Sequence, residues 1–237
     1  MVRPSTIGTF VVLALLLGPG LGRAQLRTVL EVRSLSAAEA DANLPVDVRG
    51  TVVFVDGPAT VFFQDDTAGT FFRIGGREAP RPGDEIRVTG MTTPGLYVPG
   101  IDKSEFEILG HPGLPEAPRI GFDDLRSGRF HYQRVTVEGI VRTVAADGEK
   151  VGVARVAVGS RVVEVRVEAP KPEGDALVDS RVRVTGLVAG ELNPRRQLVE
   201  PYLRCQDWEE VEVLEPGRER GTIPSVTPDQ LLNFAVG

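Results

Sequence analysis

The chain has 237 residues, and its 33 acidic side chains outnumber 27 basic ones for a formal net charge of −6 at pH 7. This balance repels a polyanion at long range and argues against non-specific nucleic-acid binding. One cysteine, Cys205, excludes an internal disulfide, and with only His111 and His131 beside it a Cys/His zinc site is excluded by count. Stability must therefore come from apolar cores, in a chain long enough for two ordinary domains.

The first element is an N-terminal segment with the three-part layout of a secretory signal. Arg3 supplies the positive region, Phe10–Leu17 the apolar core, and Gly22-Arg23-Ala24 the small residues at a cleavage site after Ala24. The apolar run falls short of the ~20 residues that cross a bilayer, although an uncleaved anchor is the alternative. No later stretch is apolar enough to span a membrane, and no cysteine follows the cut to carry a lipid. Removing residues 1–24 leaves 25 basic against 33 acidic side chains, a net −8. The expected location is outside the cytoplasm, periplasmic or extracellular.

A short helix over Ser34–Ala40, N-capped by Ser36, leads into a series of short strands. The first runs over Pro45–Val55, alternating apolar and polar residues around Gly50. A mid-strand glycine marks a bend or tight barrel corner. Thr60–Gln64, Thr70–Ile74, a strand from Asp84 and Phe106–Leu109 follow, separated by Asp56-Gly57-Pro58, Asp65–Gly69 and Pro82-Gly83 turns. The connector 110–118 holds Pro112, Pro115 and Pro118, which predict a semi-rigid spacer and a fixed relation between the units it joins. Beyond it the pattern repeats. A helix at Phe122–Leu125 precedes strands near Arg134–Val144, Val151–Val158, Arg161–Val167, Arg181–Val188 and Gln197–Arg204, with an edge at Val211–Leu214.

The repeat is explicit in the residues. Val46, Val48, Gly50 and Val52 align with Val135, Val137, Gly139 and Val141, and Arg-Val-Thr-Gly occurs at both 87–90 and 183–186. Five short strands with a glycine-bent first strand describe an OB-like barrel. The predicted fold is all-β with short lead-in helices: two consecutive five-stranded OB-like β-barrels after a signal peptide. Its parts are the signal at 1–24, barrel 1 at 25–113, barrel 2 at 114–217, and a tail at 218–237. In the tail, Ile223–Phe234 looks like the lead-in helix of a third copy, whether a remnant cap or the trace of a longer ancestor.

The run Leu44–Val53 followed by Phe62–Gly69, and the stretch Leu177–Gly186 followed by Asn193–Leu198, resemble the OB-type repeats in extracytoplasmic regions of bacterial sensor histidine kinases. The resemblance covers about residues 27–217 and implies a non-catalytic sensory or partner-binding module. It departs in having Ala68-Gly69 where relatives have Gly-Gly, and in lacking a later membrane span, a kinase histidine box and ATP-binding motifs. No established ligand comes with it.

Candidate chemistry is sparse. His111 and His131 read as exposed loop side chains, remote from any nucleophile motif. Asp65/Asp66 and Asp123/Asp124 lack calcium-loop spacing and read as a turn and a helix cap. Cys205 reads as a small buried hydrophobe. The phenylalanine pairs 62–63 and 71–72 place one ring of each inside the barrel and one outside, where OB folds bind ligands and aromatics stack on bases. The alternative is that the outer rings are covered by the lead-in helix or the second barrel. Asn193-Pro194-Arg195-Arg196-Gln197 forms the expected loop between strands four and five of copy two, fit to grip a phosphate or carboxylate unless it is simply a solvated turn. Tyr202 and Trp208 read as core-edge rings. The candidate ligand-binding residues are thus Phe62, Gln64, Phe72, Arg195, Arg196 and Gln197. No catalytic residue, metal or cofactor is expected. The expected function is an exported ligand- or partner-sensing module for a small molecule, polymer or protein. The alternative is oligonucleotide binding through the aromatic face of barrel 1, which the fold permits and the acidic charge disfavours.

Overall fold

The computed structural model describes residues 25–173 and 176–217. The signal segment and the third-copy resemblance lie outside the described residues. The first barrel consists of β1 (Pro45–Asp56), β2 (Thr60–Gln64), β3 (Gly69–Arg73), β4 (Glu85–Thr93) and β5 (Gly100–Gly110), closed in the order β1-β2-β3-β5-β4. The second consists of β6 (Arg134–Asp147), β7 (Val151–Val158), β8 (Arg161–Val167), β9 (Arg181–Leu192) and β10 (Leu198–Cys205), with β11 (Val211–Glu215) added beside β9. Pairing of β10 with both β8 and β9 closes this ring in the same order. In each barrel the third and fifth strands run parallel and the other pairs antiparallel. Two OB-like barrels are therefore present.

The register preserves the duplication. Gly50 faces Ile86 across β1 and β4, and Gly139 faces Val182 across β6 and β9. Both glycines are required by close approach: a Cβ would lie 2.5 Å from the Gln64 carbonyl oxygen at Gly50 and 2.3 Å from that of Ala157 at Gly139. Val88 pairs with Phe106 and Val184 with Val211, so β5 does alone what β10 and β11 share. A 3-10 turn at Trp208–Glu210 interrupts the second copy. There the Trp208 indole donates to the Pro170 carbonyl at 2.8 Å and its ring covers Gly152, where a Cβ would lie 2.4 Å away.

The alternation of β-branched residues builds both cores. Val46, Val48, Val52, Val61, Phe63, Phe72, Ile86, Val88 and Ile101 fill barrel 1, while barrel 2 is filled almost entirely by valines from β6–β9 with Leu203 and Cys205. The lead-in helices plug the barrels. α1 (Val29–Arg33), absent from the sequence expectation, inserts Val29 and Val32 into the first core; α2 (Ala37–Asp41) carries the expected Ser36 cap; and α3 (Phe122–Arg126) inserts Leu125 into the second. Asp65 is consumed here: Oδ1 accepts from the Thr67 and Ala68 amides and Oδ2 from the Val29 amide, which ties the β2–β3 turn to α1.

The barrels are joined by packing more than by the prolines of the connector. Phe54, Phe62 and Phe71 on barrel 1 bury themselves against Leu187 of β9 and Tyr132. Gly69 lies so close to the segment leading into β6 that a Cβ would fall 2.0 Å from the Tyr132 carbonyl oxygen. Arg33 donates to the carbonyls of Gly69, Gly128 and His131. The Arg204 guanidinium grips Asp56 at 2.9 and 3.0 Å and stacks 4.5 Å above the Phe54 ring.

Candidate functional site

In an OB barrel the ligand-facing surface is the outer side of strands two and three, rimmed by the loop between strands four and five. Cross-strand partners share a face. Phe62 pairs with Phe71 and Phe63 lies diagonal to Phe72, so Phe62 and Phe71 point outward while Phe63 and Phe72 point into the core. Phe72 is fully buried there, which removes it from the candidate residues; Phe71 takes its place. The outward pair is itself covered: Phe62 and Phe71 are each 6% exposed beneath barrel 2, with the Tyr132 ring centroid 4.6 Å from Phe62 and 6.0 Å from Phe71. Gln64 is likewise engaged, its Oε1 accepting from the Arg134 amide at 2.8 Å. The face of barrel 1 is thus mainly a docking surface for its neighbour.

What survives of that face is a cleft of about 260 Å³ in the seam, lined on barrel 1 by Asp56, Thr60, Phe62, Phe71 and Arg73, and on barrel 2 by Leu187, Gly190, Tyr202 and Arg204. His131 also lines it, contrary to the expectation of an exposed loop residue: the side chain is 2% exposed, between the rings of Tyr97 at 4.6 Å and Tyr132 at 4.1 Å. Burial, reinforced by the Arg33 charge, pushes its pKa down to about 3, so the imidazole is neutral at neutral pH. Its Nδ1 finds no hydrogen-bond partner among the described residues. Burial also raises Tyr132 to about 12. Arg204 stays firmly protonated: burial disfavours its charge, but hydrogen bonds to Asp56 and Glu168 outweigh that penalty and raise its pKa.

The corresponding face of barrel 2 is open. Val163, Val165 and Val167 on β8 point inward, leaving Val162, Glu164 and Arg166 outside, beside Arg155 of β7 and Glu200 and Tyr202 of β10. Together with Glu191 these residues line a groove of about 230 Å³. Arg166 lies 4.0 Å over the Tyr202 ring and donates to Glu164 at 2.7 Å and Glu191 at 2.6 Å. Tyr202 lines both the groove and the seam cleft.

The residues of the β9–β10 loop divide. The Arg195 guanidinium is exposed and makes no ion pair or hydrogen bond among the described residues. Arg196 instead donates to the carbonyls of Pro94, Gly95 and Leu96 and latches the loop onto its counterpart in barrel 1. Gln197 closes the loop on Asn193, its amide donating to the Asn193 side-chain oxygen at 3.0 Å. Of the six candidates, Arg195 keeps an exposed side chain with no partner among the described residues, Gln197 is exposed with its Oε1 accepting from the Asn193 side-chain amide, and Phe62 contributes a wall of the cleft. Sequence reasoning missed Arg166, Phe71, Tyr132 and the double role of Tyr202. Alternation along Arg161–Val167 would have placed Arg166 outside.

The fold and the open face define a tandem OB-type protein. No protein-family model matches the chain, and no curated protein matches it. Among solved structures it is similar to a murine DNA-binding protein bound to double-stranded DNA, with 13% identity, 76% of this chain and 99% of that one covered, and a TM-score of 0.36. It is similar also to the Ifi202 HINa domain in complex with double-stranded DNA, with 6% identity, coverage of 73% and 96%, and a TM-score of 0.32. A third is a replication protein A heterotrimer bound to single-stranded DNA, with 12% identity, coverage of 85% and 53%, and a TM-score of 0.31. These are likenesses of fold. The barrel 1 face expected to meet a sensed ligand is closed by barrel 2. The expectation of a ligand- or partner-sensing module is corrected accordingly.

Proposed function

We propose that the protein binds single-stranded oligonucleotides, without catalysis, along the open groove on the face of barrel 2. The observation that carries this reading is Tyr202, an aromatic on the OB face with Arg166 stacked on it and with both the groove and the cleft at its edges. Aromatic rings hold successive bases by stacking, and arginines beside them take the phosphates. In a chain of net charge −6 the groove carries Arg155 and Arg166 against Glu164, Glu191 and Glu200, an excess of one acidic charge.

A phosphate must displace Glu164 and Glu191 from Arg166, which predicts modest affinity and marked salt sensitivity. With Arg155 and Arg166 engaged, log K should fall against log salt with a slope of about −1.4. Fluorescence anisotropy of a labelled oligothymidylate at rising salt tests this: binding with that slope, lost in Tyr202→Ala, supports the reading, and no binding at low salt refutes it. We propose further that binding occurs outside the cytoplasm. The support is the signal-like segment Arg3, Phe10–Leu17 and Ala24, and the test is an N-terminus at Gln25 in the exported protein.

A further inference from the structure

We infer that the seam is an acid-released latch: protonation of His131 separates barrel 2 from barrel 1 while both stay folded, and uncovers Phe62 and Phe71. Those rings lie on the surface where OB folds take ligands, so the closed seam masks a second face, whatever occupies the groove of barrel 2. Each barrel closes around its own core, and a separate, smaller apolar cluster holds the seam. Contacts of this kind between domains of one chain open readily unless they are large and apolar. Where the barrels meet, the local structure is also unfavourable. Among the described residues, the two buried side-chain nitrogens without a hydrogen-bond partner are His131 Nδ1 and Arg134 Nε. Between them Tyr132 is held in the left-handed region at φ 64°, which a bulky aromatic rarely adopts. Such strain persists only where the surrounding structure enforces it, and it collects at switch segments.

The cover over His131 comes from the other barrel. Its own segment is fixed to barrel 2, where the Tyr132 amide donates to the Val188 carbonyl at 2.8 Å. From barrel 1, Tyr97 in the β4–β5 loop packs on the imidazole with ring centroids 4.6 Å apart, and Arg33 of α1 donates to the Gly128 and His131 carbonyls. Arg33, Tyr97 and Tyr132 are the charged and titratable groups packed around the ring, and no carboxylate among the described residues bonds to it to offset a proton. Separation removes Tyr97 and Arg33 together and returns the ring to solvent, so a proton favours the open form. The closed pKa of about 3 compares with an ordinary 6.5. Between these values acidification by one pH unit multiplies the open-to-closed ratio by up to about tenfold. The Asp56 carboxylate that grips Arg204 has a lowered pKa, so in the closed form it stays ionised through most of this window.

Single-molecule energy transfer in the full chain tests the latch, with one dye on Glu78→Cys of barrel 1 and one on Lys150→Cys of barrel 2. Both positions are exposed, and the buried Cys205 stays unlabelled. From pH 6 to 4.5 the ratio of low-transfer to high-transfer molecules should rise about 25-fold, and reverse on neutralisation. Over the same range the emission of Trp208 in the unlabelled protein, fixed within barrel 2 by its bond to Pro170, should keep its native maximum. In His131→Phe the ratio should not change with pH. Arg204→Ala, which frees Asp56, should raise the ratio several-fold at every pH and keep the wild-type slope. An equal rise in wild type and His131→Phe overturns the inference. So does the absence of a low-transfer population from both wild type and Arg204→Ala down to pH 4.5, or its appearance only with loss of the native Trp208 emission.

Discussion

Replacing His131 by Phe isolates one buried group whose titration the structure makes costly. The ring lies 2% exposed between Tyr97 and Tyr132, while Arg33 donates to its carbonyl and adds a positive charge nearby. Its pKa falls from an ordinary 6.5 to about 3 in the folded protein. Between those values the unfolded chain binds a proton that the folded chain does not, so stability rises with pH through this window and is lost on acidification. One pH unit corresponds to ~1.4 kcal/mol, and lowering the pH from 6.5 to 4.5 should cost the wild type about 2–3 kcal/mol through His131 alone. Carboxylates held low by arginines, Asp56 and Asp47 among them, lose their stabilisation at still lower pH and are common to both proteins. Phe removes the titrating group and the unpaired Nδ1, at the expense of a larger ring; these oppose one another at pH 7.5, but only the first affects the slope. Urea unfolding at pH 4.5, 5.5, 6.5 and 7.5 should show a wild-type free energy falling by about 2–3 kcal/mol more than that of the variant. Parallel profiles would refute the buried, neutral histidine.

Three further substitutions probe the seam. Arg204→Ala removes the grip on Asp56 and the stack on Phe54; because Asp56 is 46% exposed, the expected cost is ~1–2 kcal/mol rather than that of a fully buried pair, measured by chemical denaturation. Gly69→Ala places a methyl against the Tyr132 carbonyl, where only backbone movement gives relief, and should cost ~1–3 kcal/mol or more and increase the radius of gyration in small-angle scattering. Arg196→Ala frees the two strand four–five loops from each other; faster proteolytic cleavage near Leu96, with global stability lowered by no more than about 1 kcal/mol, is the expected outcome.

The duplicated fold was legible because its signals are local. Gly50 and Gly139, the valine alternation and the shared Arg-Val-Thr-Gly occupy equivalent register positions in both barrels. The equivalence of Phe106–Leu109 with Val211–Leu214 also stands, although β5 is continuous and its counterpart is broken at Trp208. The site was less legible for two reasons. The choice of outward phenylalanine depends on hairpin register, and the four-residue turn Asp65–Ala68, closed by Gln64 facing Gly69, sets Phe62 opposite Phe71 rather than Phe72. That information was present in the turn length. The covering of this face was not, because it arises from contacts between residues as distant as Phe54 and Leu187 or Asp56 and Arg204, which no local pattern encodes. His131 escaped for the same reason, although its setting in Phe130-His131-Tyr132 is more apolar than an exposed loop needs.

The central claim is that the open face of barrel 2, centred on Tyr202 and Arg166, binds single-stranded nucleic acid. The most direct measurement is anisotropy of a labelled oligothymidylate titrated with wild type and with Arg166→Glu at low ionic strength. The account predicts saturable wild-type binding that weakens as salt rises and falls at least tenfold in Arg166→Glu under conditions where the variant still unfolds cooperatively, its midpoint lowered by loss of the bonds to Glu164 and Glu191. Equal binding by the two proteins, or none by the wild type, would contradict it.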